Sequence, residues 1–343
     1  MSSPSISLCM IVKNEEDFIE RCLKSVQNAV QEIIIVDTGS TDQTIEICKK
    51  YNASIFPYRW NHHFADARNF GLSKASGDWI LWLDADEELE TGHEEFLMEN
   101  LKNKNVTMYY LPVINYYGES FPVDPEKAFL YHQPRLFQNH KGIQFYNRIH
   151  ETPIFPKNRD SSYTVDYLKV PIHHYGYIEE LTKKRGKGER NLQLIQEEYK
   201  DPNHSPWIEY HLANEYYRRG DYQKAFDYLN ESIFRFLLNG VKPPSILYRL
   251  KYGILVDTNS FENALEGIDK AIALYPDYVD LHFLKGLIYY QTEKFSEALA
   301  CFEKCLELGE QNSKYLILKG TGSFRAQHYK AQCLEKLGRQ QTK

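Results

Sequence analysis

Between Ser5 and Asp86 short apolar runs alternate with segments of helical period, a pattern that predicts a parallel sheet covered by helices. Residues 6–12 read as the first strand. The helix after it places Phe18, Ile19, Cys22, Leu23 and Val26 on one face, with Asn14 available as its cap. Residues 33–36 are all β-branched and read as a strand buried on both sides. Ser40 and Gln43 have capping-box spacing for a following helix that carries Ile45, Ile47 and Cys48. Residues 53–56 form a third strand closed by Pro57, residues 64–75 a helix stopped by Gly77, and residues 79–83 a fourth strand.

From residue 106 to 175 the texture changes. Strand-like runs at 106–115, 128–138 and 142–149 are interrupted by Pro and Gly, and read as an antiparallel extension folded over the ends of the parallel strands. Residues 177–201 are strongly charged and helical in pattern, and Asp201-Pro202-Asn203-His204-Ser205-Pro206 marks a boundary. At 343 residues the chain exceeds one ordinary core, whose growth stops at roughly 250 to 300 residues. The reading is an α/β domain over 1–178, a helical linker over 179–206 and an all-α domain over 207–343.

In that last part no strand signal survives, and a repeat emerges. Tyr222 and Ala225, Phe261 and Ala264, and Phe295 and Ala298 share one aromatic-x-x-Ala spacing, and the last two pairs are 34 residues apart. Gly286, Tyr289, Phe295, Ala298 and Phe302 keep the order of small and aromatic positions found in tetratricopeptide repeats. Ala213, Tyr216, Gly220, Tyr222, Ala225 and Leu229 form another copy, and residues 239–244 are an insertion in a degenerate middle one. Residues 324–337 read as a closing helix.

Composition narrows the function classes. The net charge of −6 supplies no broad positive field for nucleic acid or anionic lipid. The six cysteines form no C-x-x-C pair and suit buried thiols in a reducing cytoplasm. No secretion signal is visible, and no apolar run approaches the roughly 18 residues of a membrane span. A cytoplasmic protein without an integral membrane segment is expected. Its oligomeric state is open, with a homodimer among the options.

In an open parallel sheet the ligand lies beyond the carboxyl ends of the strands. Asp37 follows one apolar strand, and Asp84 and Asp86 follow another, so acids distant in sequence would meet in one crevice. Close carboxylates repel unless a cation sits between them, and a divalent metal bridging to a diphosphate is a common solution.

Four ordered segments resemble the nucleotide-sugar half of family 2 glycosyltransferases of the GT-A fold. They are Ile6-Ser7-Leu8-Cys9-Met10-Ile11-Val12-Lys13-Asn14-Glu15-Glu16, Glu32-Ile33-Ile34-Ile35-Val36-Asp37-Thr38-Gly39-Ser40-Thr41-Asp42, Ala67-Arg68-Asn69-Phe70-Gly71 and Trp82-Leu83-Asp84-Ala85-Asp86. The resemblance covers about the first 175 residues and implies a Rossmann-like nucleotide-diphospho-sugar transferase domain followed by the tetratricopeptide-repeat domain. Bacterial peptide S-glycosyltransferases that modify bacteriocins share this domain order. On that resemblance Val12, Asn14, Glu15 and Asp37 hold the nucleoside, and Arg68 offers its fork to the base or diphosphate unless it pairs with Asp66 or Asp37. Asp84 touches the ribose or orients the site, Asp86 is the main metal ligand, and His174, in a His-x-Gly-Tyr run, completes the metal site. Histidine suits Mn2+ better than Mg2+. A histidine pair, His173 and His174, packed at a domain junction is the alternative.

An inverting transfer needs a general base, and the acidic pair that many family members carry late in the domain has no clear copy here. His150 and Glu151 are the nearest substitute, with Asp124 a weaker candidate. The expected activity is transfer of a hexose from a nucleotide sugar, with UDP as its nucleotide, using Mn2+ or Mg2+. Concave repeat surfaces bind extended peptides, so the tail favours a peptide or protein acceptor or partner. A cell-surface polysaccharide acceptor, or an adaptor with an inactive transferase domain, are the alternatives.

Overall fold

The computed structural model describes residues 3–156, 163–185 and 187–341. Two compact units emerge, one comprising Met1–Asp124 with Tyr131–Arg185, the other Pro125–Leu130 with Gly186–Lys343.

The first unit opens with β1 (Ile6–Val12), α1 (Ile19–Val26), β2 (Glu32–Asp37), α2 (Thr44–Lys50), β3 (Ser54–Pro57), α3 (Phe64–Leu72) and β4 (Trp79–Trp82). These strands lie side by side in the order β3-β2-β1-β4, all parallel, with Val12 opposite Asp37 and Cys9 between Ile34 and Trp82. Alternation along β1 explains its central place. Leu8, Met10 and Val12 enter one core layer with Ile19, Cys22 and Leu23 of α1, while Cys9 enters the other with Ile34, Ile80 and Trp82. The cap of α1 is not Asn14 but Phe18, because Phe18 and Ile19 both donate their N–H groups to Glu15 O and start the helix four residues later.

The chain continues through β5 (Glu87–Leu89), α4 (Glu94–Leu101), β6 (Met108–Gly118), β7 (Ala128–Gln138), β8 (Gln144–Tyr146), β9 (Thr152–Ile154), β10 (Val165–Tyr167), β11 (Ile172–Ile178) and α5 (Glu179–Arg185). The expected antiparallel layer over the strand ends is not what forms. The same sheet runs on as β4-β7-β6-β11-β5, with β10 also on β6, and its pairings are mixed. β7 is antiparallel to β4, β10 and β11 are parallel to β6, and β5 is antiparallel to β11. The reason lies in β6: Tyr109, Leu111 and Val113 point into the same core layer as Leu8 and Met10, which requires one continuous sheet. β8 and β9 form a separate two-stranded ribbon.

The second unit is built from α6 (Lys187–Tyr199), α7 (Trp207–Arg218), α8 (Tyr222–Leu238), α9 (Ser245–Asp257), α10 (Phe261–Leu274), α11 (Val279–Gln291), α12 (Phe295–Leu308) and, after a short strand β12 (Ile317–Leu318), α13 (Phe324–Gln341). α7 packs on α8, α9 on α10, α11 on α12 and α13 on α12. The aromatic of each aromatic-x-x-Ala opens the second helix of a pair, and Ala225, Ala264 and Ala298 are fully buried three residues later. β12 corrects the expectation of no strand in this part: Ile317 and Leu318 pair with Leu130 and Phe129, a partner that no local pattern announces. Among the described residues no helix is long and apolar enough to cross a membrane.

Gly286 makes the repeat testable. A Cβ there would lie 2.7 Å from Cε1 of Phe302, a ring buried among Phe283 and Tyr329. Alanine normally favours a helix over glycine by about 1 kcal/mol, yet overpacking a fixed ring costs about 1–3 kcal/mol. Gly286→Ala should therefore lower the urea midpoint, and a raised midpoint would show that α11 and α12 do not meet there.

Candidate active site

The loops after β1 and β2 are knit into one rim. Val12 O accepts from both the N–H and Oγ1 of Thr38, at 3.0 and 3.1 Å. Asn14, with φ of 54°, donates its N–H to Ser40 Oγ at 3.1 Å, and its Oδ1 accepts from Thr41 N–H at 2.8 Å. Glu15 N–H donates to Thr44 Oγ1 at 2.7 Å. Asp37 stands at the end of β2, accepting from Ser40 N–H at 3.0 Å, while its carbonyl accepts from Tyr58 N–H at 2.8 Å. The four residues expected to hold a nucleoside thus lie together at the carboxyl ends of β1 and β2, and Asn14 serves as a staple between the two loops.

Arg68, on α3, is buried. Its Nη2 donates to Asp84 Oδ1 at 2.7 Å and its Nε to Glu151 Oε1 at 2.6 Å, and its guanidinium carbon lies 4.6 Å from the ring centre of Trp82. Burial alone would favour a neutral group, but Asp84 and Glu151 hold the guanidinium charged, above its ordinary value. The fork expected for a base or diphosphate is therefore taken up by two carboxylates. The other expectation, a bridge to Asp66 or Asp37, is also replaced: Asp66 instead accepts from Asn61 Nδ2 at 2.8 Å. The remaining nitrogen, Nη1, is buried and has no hydrogen-bond partner among the described residues.

Past β4 the chain turns through Asp84, Ala85 and Asp86 into β5. Asp84 is half-buried; burial pushes its carboxyl up, yet Arg68 and Arg135 outweigh that and hold it below the usual range. Asp86 is 4% exposed. β11 brings His174 opposite Glu87 on one side and Asn115 on the other. Asn115 Nδ2 donates to Val113 O at 3.3 Å, which leaves its Oδ1 for the 2.8 Å contact with His174 Nδ1. His174 Nδ1 is then the donor, which turns Nε2 toward the acidic turn. That Nε2 faces Asp86 Oδ1 at 3.7 Å, beyond hydrogen-bond reach. Gly176 keeps the space beside them open, since a Cβ there would lie 2.5 Å from His174 Nε2 and 2.8 Å from Asp86 Oδ2. Among the described residues no three His, Cys, Asp or Glu side chains converge as a metal cluster.

The neighbouring His173 points the other way. Its ring stacks on Tyr116 and its Nε2 lies 3.1 Å from Glu90 Oε2, so the two histidines are divided between structure and site by the pleat of β11. His150 is exposed, with φ of 55°, and Glu151 beside it is the Arg68 partner. Phe64 N–H donates to Arg148 O at 2.9 Å, a second tie between this loop and α3. Asp124 is exposed in the loop between β6 and β7.

Two residues that the motifs do not single out lie at the centre. Glu87 and Arg135 form a fully buried pair, at 2.8 Å and 2.6 Å, directly after Asp86. Burial pushes the Glu87 carboxyl up and Arg135 pulls against it. Asn115 was equally unmarked, because it matters only through a strand neighbour, whereas Gly176 is the glycine of the His-x-Gly-Tyr run.

Residues 7–159 match the family described as Glycosyl transferase family 2, and residues 279–312 match the Tetratricopeptide repeat. A TPR repeat-containing protein of Synechococcus elongatus is 30% identical over 275 residues, 79% of this chain and 64% of that protein. The SPbeta prophage-derived glycosyltransferase SunS of Bacillus subtilis is 25% identical over 296 residues, 83% of this chain and 67% of that one. This chain therefore spans about two thirds of the length of these relatives. Among solved structures, S. aureus TarS 1–349 in complex with UDP is similar at a TM-score of 0.38 and 14% identity, over 73% of this chain and 82% of that chain.

Proposed function

We propose, for a chain that carries a family 2 glycosyltransferase domain of the GT-A fold and a C-terminal tetratricopeptide repeat, that it transfers a hexose from a UDP-sugar to a peptide or protein side chain with inversion. The observation that carries this is the facing pair of Asp86 Oδ1 and His174 Nε2, 3.7 Å apart, at the end of the strand that delivers Asp84. Asp86 and His174 are the residues that would hold a divalent cation, and an imidazole ligand favours Mn2+ over Mg2+. Such a cation, when bound, supplies positive charge for the departing diphosphate.

The chain's own groups divide the remaining work. Val12, Asn14, Glu15 and Asp37 line the nucleoside rim, where the Asn14 staple keeps the two loops in register. Asp84 faces the donor, and Arg68 holds it there rather than binding phosphate. Proton removal from the acceptor falls to the 150–151 pair. His150 is the accessible member and takes the proton, while Glu151, committed to Arg68, steadies the loop. The tetratricopeptide repeat supports recruitment of a polypeptide acceptor.

Incubation with a panel of UDP-sugars and Mn2+ should give slow hydrolysis and a rise in melting temperature. Asp86→Ala should abolish the metal-dependent part of that rise, and an unchanged rise would remove Asp86 from the metal site. With an acceptor in hand, His150→Ala should erase the acid limb of the turnover profile while Glu151→Gln keeps it. A limb that survives His150→Ala assigns the base elsewhere, and a protein silent toward every donor is an adaptor.

A further inference from the structure

Buried charges are costly, and replacing a buried ion pair by well-packed apolar groups is often neutral or stabilising. The Glu87–Arg135 pair is therefore poorly explained by stability. Arg135 Nη1 and Nη2 grip Glu87 Oε2 and Oε1 in a two-pronged contact, with both residues 3% exposed or less. The same Oε2 accepts the N–H of Asp84 at 2.8 Å, and the N–H of Glu87 donates back to Asp84 O at 3.0 Å. Residue 87 thus closes the acidic turn from both ends. Arg135 in turn reaches back to the strand before the turn: its guanidinium lies 3.8 Å from the ring centre of Trp82, and Nη1 is 3.4 Å from Trp82 O. Trp82 Nε1 donates to Pro134 O at 2.6 Å, so β7 holds the exit of β4 by two neighbouring residues. Glu87 also pairs through the β5–β11 ladder with His174.

From this geometry we infer that Glu87 and Arg135 are positioning residues for the Asp84–Asp86 turn, acting on donor and metal binding through the turn and touching neither. The inference rests on the transferase reading given above. A carboxylate at 87 gives the Asp84 N–H an acceptor, so the aspartates leave the strand in one fixed direction. Arginine at 135 gives that carboxylate a rigid fork, which lysine cannot copy. It also places a positive charge beneath a stretch with carboxylates at 84, 86, 87 and 88, so that two like-charged aspartates can approach each other before any cation arrives.

The test is the apolar exchange Glu87→Leu with Arg135→Met, compared with Glu87→Gln and Arg135→Lys. The double variant should melt within a few degrees of the parent, yet need about tenfold more Mn2+ for the UDP-dependent thermal shift and lose about 100-fold in kcat. Glu87→Gln keeps an acceptor for Asp84 N–H and should recover part of that loss. If the double variant folds and matches the parent in Mn2+ requirement and kcat, the pair is structural only and the inference is wrong. If it fails to fold, Arg135→Lys decides, because full turnover with an unchanged Mn2+ midpoint would overturn the need for the fork. A parent protein with neither turnover nor shift fails the transferase reading, and this inference with it; a competent parent beside a competent variant fails the inference alone.

Discussion

Gly176→Ala should leave the first unit folded and remove metal-dependent nucleotide binding, with a loss of at least about 100-fold in UDP affinity in the presence of Mn2+. The added methyl would occupy the space between His174 Nε2, 2.5 Å away, and Asp86 Oδ2, 2.8 Å away. The ring of His174 and the backbone of Asp86 are both held. His174 is held by its Nδ1 contact with Asn115, and Asp86 O accepts from Tyr175 N–H at 3.0 Å in the adjacent strand. The backbone at 176 lies outside the left-handed region, so alanine meets no conformational penalty there and the damage is confined to the site. Calorimetric titration of UDP with and without Mn2+ measures the effect. Affinity within threefold of the parent would mean that the space beside Gly176 holds nothing the ligand needs.

The second large effect concerns Arg68. Arg68→Met is expected to cost about 3 kcal/mol, because it leaves the buried Glu151 carboxylate without its partner and takes from the half-buried Asp84 one of its two cations. Glu151 would then lose its partner, Asp84 would keep only the nearby charge of Arg135, and the 148–151 loop would be left with the Phe64–Arg148 bond as its tie to α3. Turnover should fall at least about 100-fold in a variant that still folds, since Asp84 loses its orientation and the loop bearing His150 loses its anchor. Arg68→Lys keeps the charge but cannot serve two acids on divergent nitrogens, and should fall between. Urea unfolding gives the stability change and donor hydrolysis the activity. A loss below about 1 kcal/mol would show that solvent, not Arg68, compensates the two carboxylates.

The positions of Asp37, Asp84 and Asp86 were legible because each follows an apolar run, and the structure puts them at strand ends. The parallel half of the sheet was readable for the same reason, its buried strands being continuous apolar runs. The partners of Arg68 were not. Asp66 is the nearest acid in sequence, but residues two apart on a helix do not share a face, and the actual partners lie 16 and 83 residues away. Glu87 is one of two adjacent glutamates and reads as a solvated charge. Its partner is 48 residues distant on a strand whose register no local pattern records. The cap assigned to Asn14 failed because that side chain had a stronger use, bridging to Thr41 across the rim.

Tetratricopeptide arrays are usually assembled from neighbours, each helix docking on the one just made, which gives low contact order and rapid folding. The helical unit here departs from that rule through β12 and the residues around it. Lys319 Nζ donates to Pro125 O, 194 positions upstream, and Arg325 Nη2 to Glu126 O, 199 upstream. Loop-closure entropy makes such a junction late. During synthesis the stretch at 125–130 is made long before its partners and waits through eight helices, α5 to α12, for them. α13 and β12 are thus the clasp of the unit, closing only once the chain has been made as far as about residue 325.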